Sequence, residues 1–418
     1  MSKPRRDGLL WDDRGLNLEP RWEREPNIEA ISNTKCSVSF HASGSFNKLY
    51  LVKTEQQGSL LMRVSLPVDP HNETSGEVAT LRWILVAFDD SSDNKIGFEW
   101  ILMQLMSGTS AYYRWRGMSM ETKRAFVERV ADMQAQLFSP GRAERGFRGI
   151  GTLKGSKACA GPEPGQIVSP MFFWGPHFDY DVPRGPFRSS HDWLGATLSI
   201  ALRERVDEIE EAEDEEDRQD AEEQLRITRR LVDLLPKIFP SIQHPAERTI
   251  LWHGDLSLSN IMVDVEGKIT GVIDWECVST MPVWVASQMP QFQVGSPREL
   301  EPIRDGYGDE NPEYDKAFTA TTEYDDGLDG ERKTDLYWIH LMEYEQTRLR
   351  KVYADRMRQL WPAWDAEVTD GALKADLLEA VSRCADGFGL RQIEKWVDAI
   401  EKGQIPRLAD MFTVQTVT

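Results

Sequence analysis

Residues 252–276, WHGDLSLSNIMVDVEGKITGVIDWE, constrain this chain more than any other stretch. His253, Asp255 and Asn260 stand in the spacing H-x-D-x-x-x-x-N, and Asp274 follows after a strand, a turn and a strand. Residues 261–265 alternate apolar and polar side chains, the period of a half-buried strand. Glu266-Gly267 signals the turn, and residues 269–273 form a second apolar-rich strand. Such a hairpin returns Asp274 to the side of Asn260. Ile250, Leu251 and Trp252 bury the lead-in, and Gly254 permits a tight backbone path.

The chemistry follows from that placement. An amide carbonyl and a carboxylate brought together are hard oxygens of the kind magnesium takes, while waters and phosphates complete its shell. An aspartate placed to receive a hydroxyl proton beside two metal-holding groups supplies the parts of phosphoryl transfer. Taken singly, each of these residues more readily caps a turn or ends a strand. Their joint order and spacing point to a small-molecule kinase core.

The segment resembles the aminoglycoside phosphotransferase and choline kinase group, relatives of the protein kinases. There the loop reads H-G-D-x-x-x-x-N and the later motif I-D-W-[DE], matched here by residues 253–260 and 273–276. The resemblance implies an α+β, two-lobed protein kinase-like fold, with a small β-rich N-lobe, a large mainly helical C-lobe, and ATP and Mg²⁺ as cofactors. It makes Asp255 the catalytic aspartate and His253 a brace for its loop. It places Asn260 and Asp274 on magnesium, and Glu276 behind the metal or in weak contact with it.

The N-terminal side gives the motif a context. Residues 38–52 read as strand, small-residue turn and strand. Ser43, Gly44 and Ser45 lack bulk, so their N–H groups are expected to approach phosphates. Arg63, on a third strand, stands where the resemblance places a phosphate-binding lysine. Arginine there offers a permanently charged fork for two oxygens. The plainer alternative is a surface ion pair worth little. Glu77 opens a helical stretch and resembles the partner glutamate. Against the family pattern roughly a dozen residues are missing after Trp83, so the Glu77 helix is expected to be short or poorly docked. Residues 98–106 read as a buried strand entering a hinge, where main-chain groups of Gln104 and Met106 are expected to meet adenine. Tyr112, Tyr113 and Trp115 are expected to pack in the core.

Whole-chain properties set the remaining bounds. A chain of 418 residues can build two lobes with large cores. Its net charge of −20 argues against nucleic acid or an anionic membrane as partner. The expected partner is a small molecule carrying a hydroxyl. Cys36, Cys159, Cys277 and Cys384 stand apart, which fits a reducing compartment without structural zinc. No apolar run reaches spanning length, and the first twenty residues lack a signal-peptide core. The cytoplasm is the expected compartment, with a mitochondrial address left open.

The expected organisation is an N-terminal arm over residues 1–30, an N-lobe over 31–105 and a C-lobe over 106–418. Residues 120–138 place Phe126, Val130, Met133 and Leu137 on one helical face. The Gly- and Pro-rich residues 139–190 read as a long surface excursion or a loop over the acceptor. The acidic residues 207–223 read as a solvated helical hairpin or insertion. Helices are expected over 335–349, 356–361 and 372–401. Glu343, Glu345, Asp386 and Glu394 on them are weak acceptor-binding candidates against the simpler reading of helix-surface charge. Two alternatives stay open: a catalytically silent kinase-like binding protein, and a protein kinase, for which an A-P-E signature is lacking after Asp274.

Overall fold

A computed structural model describes residues 5–13, 18–31, 36–54, 58–81, 84–138, 146–155, 161–240, 245–308, 335–385 and 387–412. Strands β1 (Leu9–Asp13) and β2 (Leu18–Trp22) form a hairpin. Next come β3 (Cys36–Ser43), β4 (Asn47–Thr54), β5 (Gly58–Ser65), helix α1 (Asn72–Leu81), β6 (Leu85–Asp89) and β7 (Trp100–Gln104). The last five strands build one antiparallel sheet in the order β3-β4-β5-β7-β6.

Register assigns the two faces of this sheet. Directly opposed residues share a face, so Arg63 and Leu61 of β5 stand with Ile101 and Met103 of β7. That face packs against Leu81 and Val78 of α1. Tyr50, Val52, Leu60, Met62 and Val64 fill the other face, together with Ile96 and Phe98. Trp22, Ile28 and Ile31 cover it. Where described, this N-terminal stretch packs on the sheet. It supplies apolar side chains that the sheet's outer face needs in order to leave water.

The C-lobe begins with β8 (Thr109–Ser110), α2 (Ala111–Trp115) and α3 (Met120–Phe138), then β9 (Phe147–Arg148), β10 (Gly151–Lys154), β11 (Glu163–Pro164) and α4 (Pro170–Phe173). It continues through α5 (Ser190–Glu211), α6 (Glu215–Ile238), β12 (Arg248–Trp252), β13 (Ile261–Val263), β14 (Ile269–Val272), β15 (Ser279–Pro282) and α7 (Val283–Ala286). Helices α8 (Asp335–Leu360), α9 (Trp364–Ala385) and α10 (Leu390–Glu401) close it.

The acidic stretch is the turn of an α5–α6 hairpin, and Asp214 caps α6 by accepting from Asp217 N at 2.9 Å. Helix α3 has the expected span, but its buried face is Phe126, Val127, Val130, Ala131, Gln134, Ala135 and Phe138, with Met133 and Leu137 at its margin. Residues 335–360 form one continuous helix, longer than the two expected pieces. Of residues 139–190, those described (146–155 and 161–190) hold short strands and buried Ile150, Phe172, Phe173 and Phe178, so these parts enter the lobe core. Of Tyr112, Tyr113 and Trp115 only Trp115 is buried; both tyrosines are exposed. Among the described residues no helix is long and apolar enough to cross a membrane. Trp83, Cys159 and Asp386 lie outside the described residues.

Candidate active site

Strand β12 delivers the chain to His253, and the β13–β14 hairpin brings it back. Asp264 accepts from the N–H groups of Glu266 and Lys268 at 3.1 and 2.9 Å, and Gly267 takes φ +81 to close the turn. Ile273 N donates to Asn260 O at 2.9 Å, which aligns the end of the hairpin with the end of the loop. His253 is buried, and its Nε2 donates to Ile273 O at 3.0 Å. Burial pushes its pKa down, and its Nδ1 is buried without a hydrogen-bond partner among the described residues. His253 thus braces the loop.

Asp255 is exposed in the cleft. Asn260 is buried and spends both amide hydrogens on it, donating to Asp255 Oδ2 at 2.9 Å and to Asp255 O at 3.0 Å. Asp255 Oδ2 is thereby fixed, and Oδ1 accepts none of the hydrogen bonds among the described residues. The Asn260 amide oxygen has no protein donor among the bonds of the described residues. Asp274 follows in the left-handed region at φ +64, a conformation costing a non-glycine residue about 1–2 kcal/mol. Asp274 is exposed to solvent, with protein packed around its inner side. That partial burial, with the like charges of Glu276, Asp255 and Glu77, pushes its pKa up to about 7 against the opposing pull of Arg63. A bound cation would relieve this crowding, so an amide oxygen and a strained, electron-rich carboxylate suit a magnesium ion shared with phosphates. No cluster of three or more His, Cys, Asp or Glu holds a metal unaided among the described residues.

The N-lobe residues meet this site in a way the sequence did not announce. Arg63 is 4% exposed. Its Nη2 donates to Glu73 Oε1 at 2.6 Å, and its Nη1 donates to Ser65 Oγ at 2.9 Å and pairs with Glu77 Oε2 at 2.5 Å. Nη2 also donates to Glu276 Oε2 across the lobes. Burial works against the guanidinium charge, but Glu77, Glu276 and Glu73 outweigh it and raise the Arg63 pKa. Burial likewise raises Glu73 and Glu77, with Arg63 pulling both down. Arg63 is therefore no open phosphate clamp in this arrangement, because both terminal nitrogens are engaged by protein oxygens.

Glu77 lies inside α1 and does not begin it, and the helix is firmly docked despite the short connection after it. A Cβ on Gly76 would lie 2.4 Å from Thr152 Cγ2 of β10, so only glycine allows this approach. Glu73 escaped sequence reading. Its signal was present, since Glu73 and Glu77 are four residues apart and share a helix face.

The small-residue turn is closed by Gly44 N donating to Asn47 O at 3.0 Å, so the Gly44 N–H is committed to the turn. Ser43 Oγ donates within the same turn at 3.3 and 3.4 Å, and Ser45 is exposed. Asn47 Nδ2 donates to Glu276 Oε2 at 2.9 Å. At the hinge, Gln104 N donates to Ile84 O at 3.1 Å, which removes it as an adenine donor. Met106 packs on Gly271, and Thr270 Oγ1 donates to Ser107 O at 2.6 Å, tying the hinge to the hairpin. Glu345 is bound to buried Lys123 at 2.7 Å, Glu343 to Arg298 at 3.0 Å and Glu394 to Arg226 at 2.5 Å. These pairs bind helix to helix or loop, and the structure brings none of the three to Asp255.

The model of the phosphotransferase enzyme family matches residues 37–316. A subtelomeric hrmA-associated cluster protein of Aspergillus fumigatus is 23% identical over 320 residues, covering 62% of this chain and 62% of that protein. The chain thus spans less than two thirds of that relative's length. Among solved structures, the streptomycin–ATP–APH(2″)-IIa ternary complex aligns at TM-score 0.42 and 12% identity, over 93% of this chain and 99% of the other. Choline kinase from Cryptosporidium parvum Iowa II aligns at TM-score 0.41 and 12% identity, over 93% and 97%.

Proposed function

This chain belongs to the phosphotransferase enzyme family, and on that premise we propose that it is an ATP- and magnesium-dependent kinase acting on a hydroxyl of a small molecule. One observation carries the reading: the Asn260 side-chain amide holds Asp255, while the Asn260 backbone carbonyl accepts from the N–H of Ile273, the residue before Asp274. The bound magnesium nucleotide supplies the phosphoryl group and neutralises charge on it.

This chain's residues do the rest. Asn260 and Asp274 would hold the ion by oxygen. The acceptor hydroxyl would be oriented by the Asp255 carboxylate and pass its proton there as its oxygen attacks the γ-phosphorus in line, while the bond from that phosphorus to the bridging oxygen breaks and ADP leaves. His253 keeps the loop and the hairpin end in register. Catalysis of this kind rests mainly on positioning and charge complementarity.

The test is thermal unfolding with and without Mg²⁺ plus ATP, followed by ADP release over a panel of hydroxyl compounds. A ligand at 100 times its dissociation constant stabilises by about 2.7 kcal/mol. Absence of a shift at millimolar nucleotide would sink the reading. A second reading, a silent nucleotide-binding relative, is favoured by the engaged Arg63. A shift with no acceptor-dependent ADP release would select it.

A further inference from the structure

Two adjacent residues pin the small-residue turn to the C-lobe. Phe46 stands edge-on to Phe173 and Trp174 at ring separations of 5.3 and 5.8 Å. Those rings belong to a platform that Arg6 and Arg184 hold from below, Arg6 donating to Phe173 O at 2.5 Å and Arg184 to His177 O at 2.7 Å. Asn47 is the second pin, through Glu276. A single Glu276 oxygen accepts from both Asn47 and Arg63, so this one side chain ties the turn, β5 and the Asp274 loop together.

Charge makes that tie releasable. Arg63 is one cation facing three carboxylates. Glu73 and Glu77 are fixed on α1, with side chains 3% and 4% exposed. Glu276 is on a loop, is 14% exposed, and lies two residues beyond Asp274. A dication held at Asp274 would repel Arg63 and attract Glu276, whose departure would leave an Arg63 N–H for a phosphate oxygen. Arg63 then exchanges one anionic partner for another, with no charge stranded in a buried place.

We propose that Glu276 is a two-position carboxylate, paired with Arg63 and Asn47 in the nucleotide-free chain and drawn to the magnesium side when the cleft fills. The inference rests on the magnesium–nucleotide reading of the site. It makes the closed turn a latch that magnesium-loaded nucleotide opens and metal-free nucleotide does not, because free phosphates meet the carboxylates unshielded.

Calorimetric titration with a non-hydrolysable ATP analogue, in Mg²⁺ and in EDTA, tests it on the wild type, Glu276→Gln and Asn47→Ala. Glu276→Gln should bind the metal-free analogue about tenfold tighter and the magnesium form about tenfold weaker. Asn47→Ala should tighten the metal-free form alone. In the absence of nucleotide, backbone hydrogen exchange at residues 46–48 and 275–277 should quicken in both variants. A merely structural Glu276 would weaken both forms in parallel, and that result, or unchanged exchange, overturns the latch while leaving the site reading intact. A folded wild type that binds neither form overturns the site reading and the latch with it.

Discussion

Replacing Arg63 by methionine removes the one cation at a junction of three carboxylates, two of them almost wholly buried. Breaking a buried pair by deleting one partner costs about 3–5 kcal/mol, because the remaining charge has nothing to offset its lost hydration. The sign of the pH dependence follows from the raised pKa values of Glu73 and Glu77, which rise further without Arg63. A carboxylate whose folded pKa lies above its unfolded value opposes folding at pH values above the folded pKa. That penalty fades as pH falls toward the unfolded value. The Arg63→Met deficit should therefore be larger at pH 8 than at pH 5. Hydrogen exchange of residues 60–64 and 73–81, against wild type at matched pH, reads it locally. At pH 8 the opening constants should rise by about two to three and a half orders of magnitude. Adding Glu73→Gln, Glu77→Gln and Glu276→Gln should recover most of the loss. A deficit below about 1 kcal/mol, or one equal at both pH values, would refute the argument.

Further outcomes can be stated briefly. Asp274→Asn removes a carboxylate that burial and like charge hold at a pKa of about 7. The nucleotide-free variant should gain thermal midpoint over wild type as pH rises from 5 to 8, while losing the Mg²⁺–ATP shift; a midpoint difference flat with pH contradicts this. Asp255→Asn should lower turnover by about 10²–10⁴-fold with nucleotide binding kept, measured by ADP release beside calorimetry. Gly76→Ala forces α1 off Thr152 and should cost about 1–3 kcal/mol in denaturant melts. Lys123→Met strands the Glu345 carboxylate against α3, and its loss of stability should shrink when Glu345→Gln is added.

The sequence by itself determined the elements whose signals are local. The 261–273 hairpin follows from alternation and a turn dipeptide, and helix α3 follows from a 3.6-residue period. The order His253, Asp255, Asn260, Asp274 likewise brought the proposed site residues together, because one loop and one hairpin carry all four. The tertiary structure decided what Arg63 does. Its partner Glu276 is 213 positions away, and no periodicity reports which carboxylate a buried cation will meet. Packing also decided that Trp22, Ile28 and Ile31 cover a sheet face and that residues 146–155 and 161–190 enter the core. The aromatic side chains of residues 161–190 follow no helical or strand period, so only the surface they bury gives them a place.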